Sequence, residues 1–339
     1  MTTILALASK HALVMGTDSL GTETRQLVDP MTLIEKYFDP AKKFVLRRGN
    51  DGEPVLDSIF TLMDEAEQVP YNQLLHVNKL FKLGVLPVAV AFTGITSIAN
   101  NPVRSLVTQF ADSDKTIAAG GTLNYTVGAL ADRLLKFLRG YYESEFPPEG
   151  FRKPSLELLV GGYNRNVPHF PTVVRLNVAE NKAEVEFAPG IFGIAFAGTF
   201  DWIQRIIHGT DFRNRLKLIT RTYDLLNQYR ERMAADLRQN SCDVELPEAA
   251  SFGKDFFLFN DWELDQLDAN WAEFSEQNAI DCVDFLLDIM IRAQGVSQQL
   301  PTVGGDVHIA VIRKGGFYPV TKEVWRHGQY EVPIPEVGT

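Results

Sequence analysis

Apolar residues recur along this chain in two rhythms, and the changes between them mark its elements. Residues 2–9 and 12–17 are short, nearly continuous apolar runs separated by Lys10-His11. They predict two buried strands joined by a tight turn, with Asp18 just past the second strand. Residues 19–41 read as a polar, irregular loop broken at Asp29-Pro30 and Asp39-Pro40. Strand character returns over Lys43-Phe44-Val45-Leu46, residues 48–56 are rich in Gly, Asp and Pro, and 57–82 read as helical or irregular. Leu86 to Phe92 predicts a buried strand that stops at Gly94.

Helices are expected near 96–111 and 123–144. In the second, Leu123, Val127, Leu130, Leu134, Phe137, Leu138 and Tyr141 recur at steps of three and four and form one apolar stripe. Ser155–Gly162, Thr172–Leu176, Ala183–Phe187 and Phe192–Ala197 read as strands, and two helices follow over 200–208 and 213–238. After a Pro-, Asp- and aromatic-rich region over 240–275, a helix at 276–295 leads through Gly304-Gly305 into a strand at Val307–Ile312, and the Pro-containing tail from Tyr318 reads as loose. Blocks of antiparallel strands thus alternate with helix pairs. Two sheets stacked face to face, each with a helix layer outside, satisfy that order and give an α+β class.

Composition narrows the function. The 339 residues allow two domains, or one large domain with insertions. Acidic residues outnumber basic ones by 43 to 33, which argues against a nucleic-acid partner, since such a protein needs a basic face to neutralise phosphates. Two cysteines, Cys242 and Cys282, are too few for a disulfide framework and fit a reduced cytosol. The apolar run Leu83 to Ile95 is shorter than the roughly 20 residues of a membrane helix. No basic residue precedes the first apolar run, so no signal peptide is expected and a cytoplasmic location follows. Because Thr2 is small, Met1 is expected to be removed. Thr2 would then carry a hydroxyl nucleophile and an α-amine base in one residue, the amine having an unperturbed pKa of about 7.7–8.0.

Thr2-Thr3-Ile4, Gly16-Thr17-Asp18-Ser19, Ala41-Lys42-Lys43-Phe44 and Ala91-Phe92-Thr93-Gly94 occur in that order, followed by Leu158–Tyr163 and Val303–Ile312. Together these segments resemble the proteasome β-subunit family, including HslV-type peptidases and bacterial proteasome homologues. The resemblance implies the four-layer αββα sandwich of N-terminal nucleophile hydrolases over residues 1–320. Extra length would fall at about 48–84 and 209–275, and a tail at 321–339. It implies a threonine endopeptidase in which Thr2 attacks the scissile carbonyl, Lys43 is the catalytic lysine, Asp18 holds that lysine and Gly94 offers its N–H to the oxyanion. Thr199 would supply the accessory hydroxyl. The family's specificity positions correspond to Ala41, Val45, Phe92 and Thr96, an apolar wall that predicts cleavage after hydrophobic residues. The implied partners are a peptide or unfolded protein substrate, further copies in a homo-oligomeric ring and, by analogy, an ATP-dependent unfoldase. No cofactor, metal, nucleic acid or membrane is implied.

Other positions depart from the family. An Asp and a Ser usually precede the late Gly-Gly, where this chain has Leu300 and Val303; Asp306 or Ser297 could compensate. A non-catalytic scaffold or binding subunit, and a small-molecule amidase of the same nucleophile class, are the alternatives. Phosphate-loop, dinucleotide and His-Glu-x-x-His motifs are absent. The six histidines are scattered, and Asp281, Asp284 and Asp288 read as the polar face of an amphipathic helix. Phe256–Phe259, Trp262 and Trp271 give the second insertion an aromatic density that suits either a partner surface or a self-packed subdomain.

Overall fold

In the first strand pair, β1 (Thr3–Ala8) and β2 (Leu13–Asp18), every residue is buried. The pair therefore runs through the interior, and its lack of polar alternation follows from cover on both faces. The turn between them is as tight as its sequence suggests. Ser9 N donates to Ala12 O at 3.0 Å, and Ser9 Oγ accepts from the His11 and Ala12 amides. The computed structural model describes residues 2–27, 37–39, 45–46, 48, 67–74, 76–120, 123–146, 153–208, 212–239, 269–296 and 301–320.

Further strands follow in chain order: β3 (Gly21–Leu27), β4 (Phe38–Asp39), β5 (Val45–Leu46), β6 (Glu67–Leu74), β7 (Leu80–Lys82), β8 (Val88–Gly94), β9 (Ser97–Ile98) and β10 (Asn101–Pro102). Helices α1 (Val103–Ser113), α2 (Lys115–Ala118) and α3 (Val127–Glu145) precede β11 (Leu156–Tyr163), β12 (Pro171–Asn177), β13 (Lys182–Phe187) and β14 (Gly193–Gly198). Then come α4 (Asp201–His208), α5 (Phe212–Gln239), α6 (Glu276–Gly295), β15 (Val307–Arg313) and β16 (Gly316–Val320).

Two five-stranded antiparallel sheets dominate, ordered β14-β1-β2-β15-β16 and β13-β12-β11-β8-β7. The class is α+β with antiparallel sheets, as expected. Strand alternation divides the side chains of β8 between two cores. Ala89 and Ala91 join Ile4, Ala6, Leu13, Met15 and Leu159 in a core shared by the two sheets. Val88, Val90 and Phe92 face the other way, toward Leu106 and Phe110 of α1 and Leu130, Leu134 and Leu138 of α3. The α3 stripe agrees with its periodicity from Val127 to Leu138, whereas Leu123 lies before the helix and is exposed. Helix α6 lies against β1, β2 and β15. There Gly16 is a matter of space: a Cβ on it would fall 2.5 Å from Val283 Cγ1 and 2.9 Å from Leu287 Cδ1.

Several expectations need correction. Residues 21–27, read as loop, form β3 and pair with β6 across a bulge. Residues 67–74 and 80–82, read as helical or irregular, are strands. Helix α1 starts at Val103 rather than 96, because Ser97–Pro102 folds into the β9–β10 hairpin. The chain from Tyr318 is not loose at its start: Gly316–Val320 pairs with β15. Residues 80–82, within the stretch of extra length expected at about 48–84, pair as β7 with β8 in the second sheet. Residues 271–273 also belong to the main body, where Ala272 O accepts from Lys10 N at 3.2 Å.

Contacts divide the chain into two compact units, one built from the segments up to Thr199 and from Asn270 onward, the other over Phe200–Ala269. The second contains α4 and the 28-residue α5. Phe256–Phe259, Trp262 and the tail over 321–339 lie outside the described residues. Among the described residues, no helix is long and apolar enough to cross a membrane.

Candidate active site

Thr2 immediately precedes β1 and is 3% exposed. Its carbonyl is held twice, by Thr93 Oγ1 at 3.0 Å and by Thr199 N at 2.9 Å. Those contacts fasten the head of the chain to the ends of β8 and β14, one from each sheet. Thr3 Oγ1 in turn donates to Thr199 O. Gly198 has φ +84°, and a Cβ there would fall 1.9 Å from Thr2 O. Only glycine satisfies both the backbone angle and that approach.

Asp18 ends β2, directly across from this point, and is fully buried. Its Oδ1 accepts from Thr3 N at 2.9 Å, and its Oδ2 accepts from Leu20 N and Gly304 N, each at 3.2 Å. Three backbone donors and a cation satisfy a carboxylate that would otherwise be very costly to bury.

The cation is Lys79. It stands just before β7, its carbonyl accepts from Phe92 N at 3.1 Å, and its side chain is 1% exposed. Its Nζ donates to Thr2 Oγ1, to Leu20 O at 2.5 Å and to Asp18 Oδ2 at 3.5 Å. Burial pushes the Lys79 amine below the ordinary lysine range, and the Asp18 charge opposes the shift. Burial likewise pushes the Asp18 carboxyl up, against the pull of Lys79 and the three N–H donors. A lysine so placed can give up its proton at lower pH than an exposed one and act on the hydroxyl it touches.

Of the residues singled out from sequence, Thr2, Asp18 and Thr199 meet here. Gly94 follows Thr93, has φ +103°, and would carry a Cβ 2.0 Å from Ser155 O. The Thr199 hydroxyl is buried and has no hydrogen-bond partner. Lys43 and Ala41 lie outside the described residues, and Val45 is described only as part of β5, paired with Asp39. Phe92 is 2% exposed and packs its ring against Phe81 at 6.2 Å on the helix side of the sheet, so it offers no wall to a substrate. Thr96 is half-buried, and its carbonyl accepts from Val103 N at 2.9 Å. Val303 is buried, and Leu300 and Ser297 lie outside the described residues. Asp306 accepts from His76 Nδ1 at 3.0 Å, and its N–H donates to Ser19 Oγ at 2.7 Å.

The sequence reading missed Lys79. The local signal is a turn: Gly84 and Pro87 separate the apolar pair Leu80-Phe81 from the apolar run Val88–Phe92. Read as a hairpin, that pattern sets Leu80 across from Ala91 and therefore Lys79 across from Phe92, two residues from Gly94.

Among the described residues, no group of three or more His, Cys, Asp and Glu could hold a metal ion. Compared with models of known protein families and with curated proteins, the chain matches none.

Proposed function

We propose that this protein is a threonine-type endopeptidase of the N-terminal nucleophile class, with Thr2 exposed as the nucleophile by removal of Met1. The observation that carries the reading is the buried contact of Lys79 Nζ with Thr2 Oγ1, in a lysine also paired with Asp18. Two stacked sheets with α1 and α3 on one outer face and α6 on the other support reading the larger unit as a four-layer αββα sandwich.

In this mechanism Thr2 Oγ attacks the peptide carbonyl while its proton passes to the Lys79 amine or to the freed α-amine of Thr2. The C–O bond of an acyl ester forms, the C–N bond breaks, and the leaving amine takes the proton. Water then attacks the ester, returns the proton to Oγ and releases the acid. The Gly94 N–H stabilises the oxyanion, a contribution that needs backbone in close approach and no side chain in the way. The unpartnered Thr199 hydroxyl orients the Thr2 amine.

The test is intact mass after incubation with a peptide epoxyketone, whose ketone is attacked by a threonine hydroxyl and whose epoxide is opened by the adjacent amine. The expected result is loss of Met1 and one adduct on Thr2, absent from Thr2→Ala. Lys79→Ala should slow labelling by roughly 10²–10⁴-fold, the range for removing a general base. Retained methionine with no adduct would overturn the reading and favour a scaffold.

A further inference from the structure

The two sheets are tied together by an arginine close to Thr2. Arg175 of β12 lies opposite Leu159 of β11, which belongs to the core between the sheets, so Arg175 stands on that inner face. Its guanidinium reaches across to the other sheet, where Nη2 donates to Phe196 O of β14 at 2.9 Å. On its own sheet, Nε lies 2.6 Å from Glu186 Oε1, an ion pair whose angle falls short of a hydrogen bond. The β13 bulge sets Val185 opposite Val174 and Phe187 opposite Val173, which leaves Glu186 as the extra residue. Such a bulge re-aims a side chain, here to a place beside Arg175.

Phe196 occupies a sensitive place. Strand β14 is at the edge of its sheet and pairs with β1 alone. Two residues after Phe196, Gly198 takes its φ of +84°, and Thr199 N then holds Thr2 O at 2.9 Å. The other hold on Thr2 O comes from Thr93 of β8, in the second sheet. Thr2 is therefore suspended between the sheets, and its position depends on how β14 sits relative to β8. Strands β8, β11 and β12 are neighbours in one sheet, so the charge-assisted Arg175 bond fixes β14 against the sheet that carries Thr93. Glu157 of β11 adds a smaller tie by accepting from Gly198 N.

We propose that Arg175 is a positioning residue for Thr2, with Glu186 as its anchor: together they latch the edge of β14 to the second sheet and keep the two holds on Thr2 O in step. Without the latch, the end of β14 keeps only the Glu157 bond to the second sheet, and Thr199 N leaves Thr2 O more often. Thr2 Oγ1 then spends less time against Lys79 Nζ, so the chemical step slows while substrate binding is unaffected. The catalytic consequence rests on the peptidase reading, whereas the latch itself can be measured without turnover.

The test is hydrogen–deuterium exchange of the full-length protein, read by mass spectrometry on peptides covering 193–200 and 127–145. In Arg175→Met the first peptide should exchange about tenfold faster or more, the size expected for losing one charge-assisted hydrogen bond. The second, from α3, should keep the parent's rate. Glu186→Gln leaves the guanidinium in place, should show the same pattern more weakly, and keeps the measurement open if Arg175→Met does not fold. With a peptide epoxyketone, the saturating rate constant for labelling Thr2 should fall about tenfold or more in Arg175→Met, at an unchanged half-saturating concentration and full final occupancy. Loss of folded protein alone would lower the occupancy and leave the rate constant as it is. Equal acceleration of both peptides, or of neither, in the folded variants would overturn the inference, as would labelling at the parent's rate constant. Absence of labelling of the parent protein would overturn the peptidase reading and leave the exchange to decide the latch.

Discussion

At the scale of single residues, a lysine with 1% of its side chain exposed is costly to keep charged, and an aspartate with none exposed is costlier still. Both persist because each satisfies the other, and because three amides complete the carboxylate's shell. Removing one partner of such a pair strands the other. Asp18→Ala should therefore lower the unfolding free energy by about 3–5 kcal/mol, read from urea denaturation, even with Thr2 untouched. A loss under about 1 kcal/mol would mean that Asp18 and Lys79 are solvated in solution. Thr2 and Asp18 were legible in sequence because each lies beside a strong strand pattern. Lys79 was not, because it precedes a strand of only three residues, Leu80–Lys82, which is too short to show a period.

At the scale of elements, helix α6 was placed from sequence at the bounds the structure gives, 276–295. Ser275 caps it by accepting from Asn278 N at 3.1 Å, and its apolar face from Ala279 to Met290 lies on the first sheet. What periodicity could not say is how near helix and sheet approach. Gly16 provides that nearness, so Gly16→Ala forces a methyl against the stiff side chain of Val283 and against Leu287. The expected cost is about 1–3 kcal/mol, the usual range for overpacking. Thermal unfolding of the variant checks it, and pairing it with Val283→Ala should recover part of the loss. An unshifted melting temperature would show that α6 stands off the sheet. Strands β3 and β6 show the opposite case. They are separated by almost forty residues, their sequences lack alternation of apolar side chains, and only their pairing identifies them as strands.

At the scale of the whole molecule, net charge of −10 sets the background, but individual buried acids set the pH response of stability. Glu157 of β11 lies across from Thr93, and its carboxylate is bonded by the Gly198 N–H beside the site. Burial nevertheless raises its pKa above 4.5, against the pull of Arg175. In the window from 4.5 up to that raised value the native state binds a proton that the unfolded chain has lost, so this group makes stability fall as pH rises through it. Glu157→Gln cannot titrate. Its stability relative to the parent should climb across the same window and level off above it, as measured by denaturant unfolding at a series of pH values. A difference that is flat with pH would show that Glu157 titrates as it does in the unfolded chain.

The sequence by itself determined the secondary structure wherever apolar residues recur in unbroken rhythm: the β1–β2 hairpin, α3, the strands from β11 to β14, α6 and β15. It also placed the nucleophile candidate and its aspartate, because both are adjacent in sequence to that first hairpin. Only the tertiary structure decided that Lys79 touches Thr2 and which threonines hold its carbonyl. Such pairings join residues far apart in the chain; Asp18 and Gly304, beside them, are 286 positions apart. They are set by strand register and sheet stacking, and a one-residue change of register would send each side chain to the opposite face. The local pattern of a chain carries its periods, whereas the register that brings distant residues to one point is a property of the packed whole.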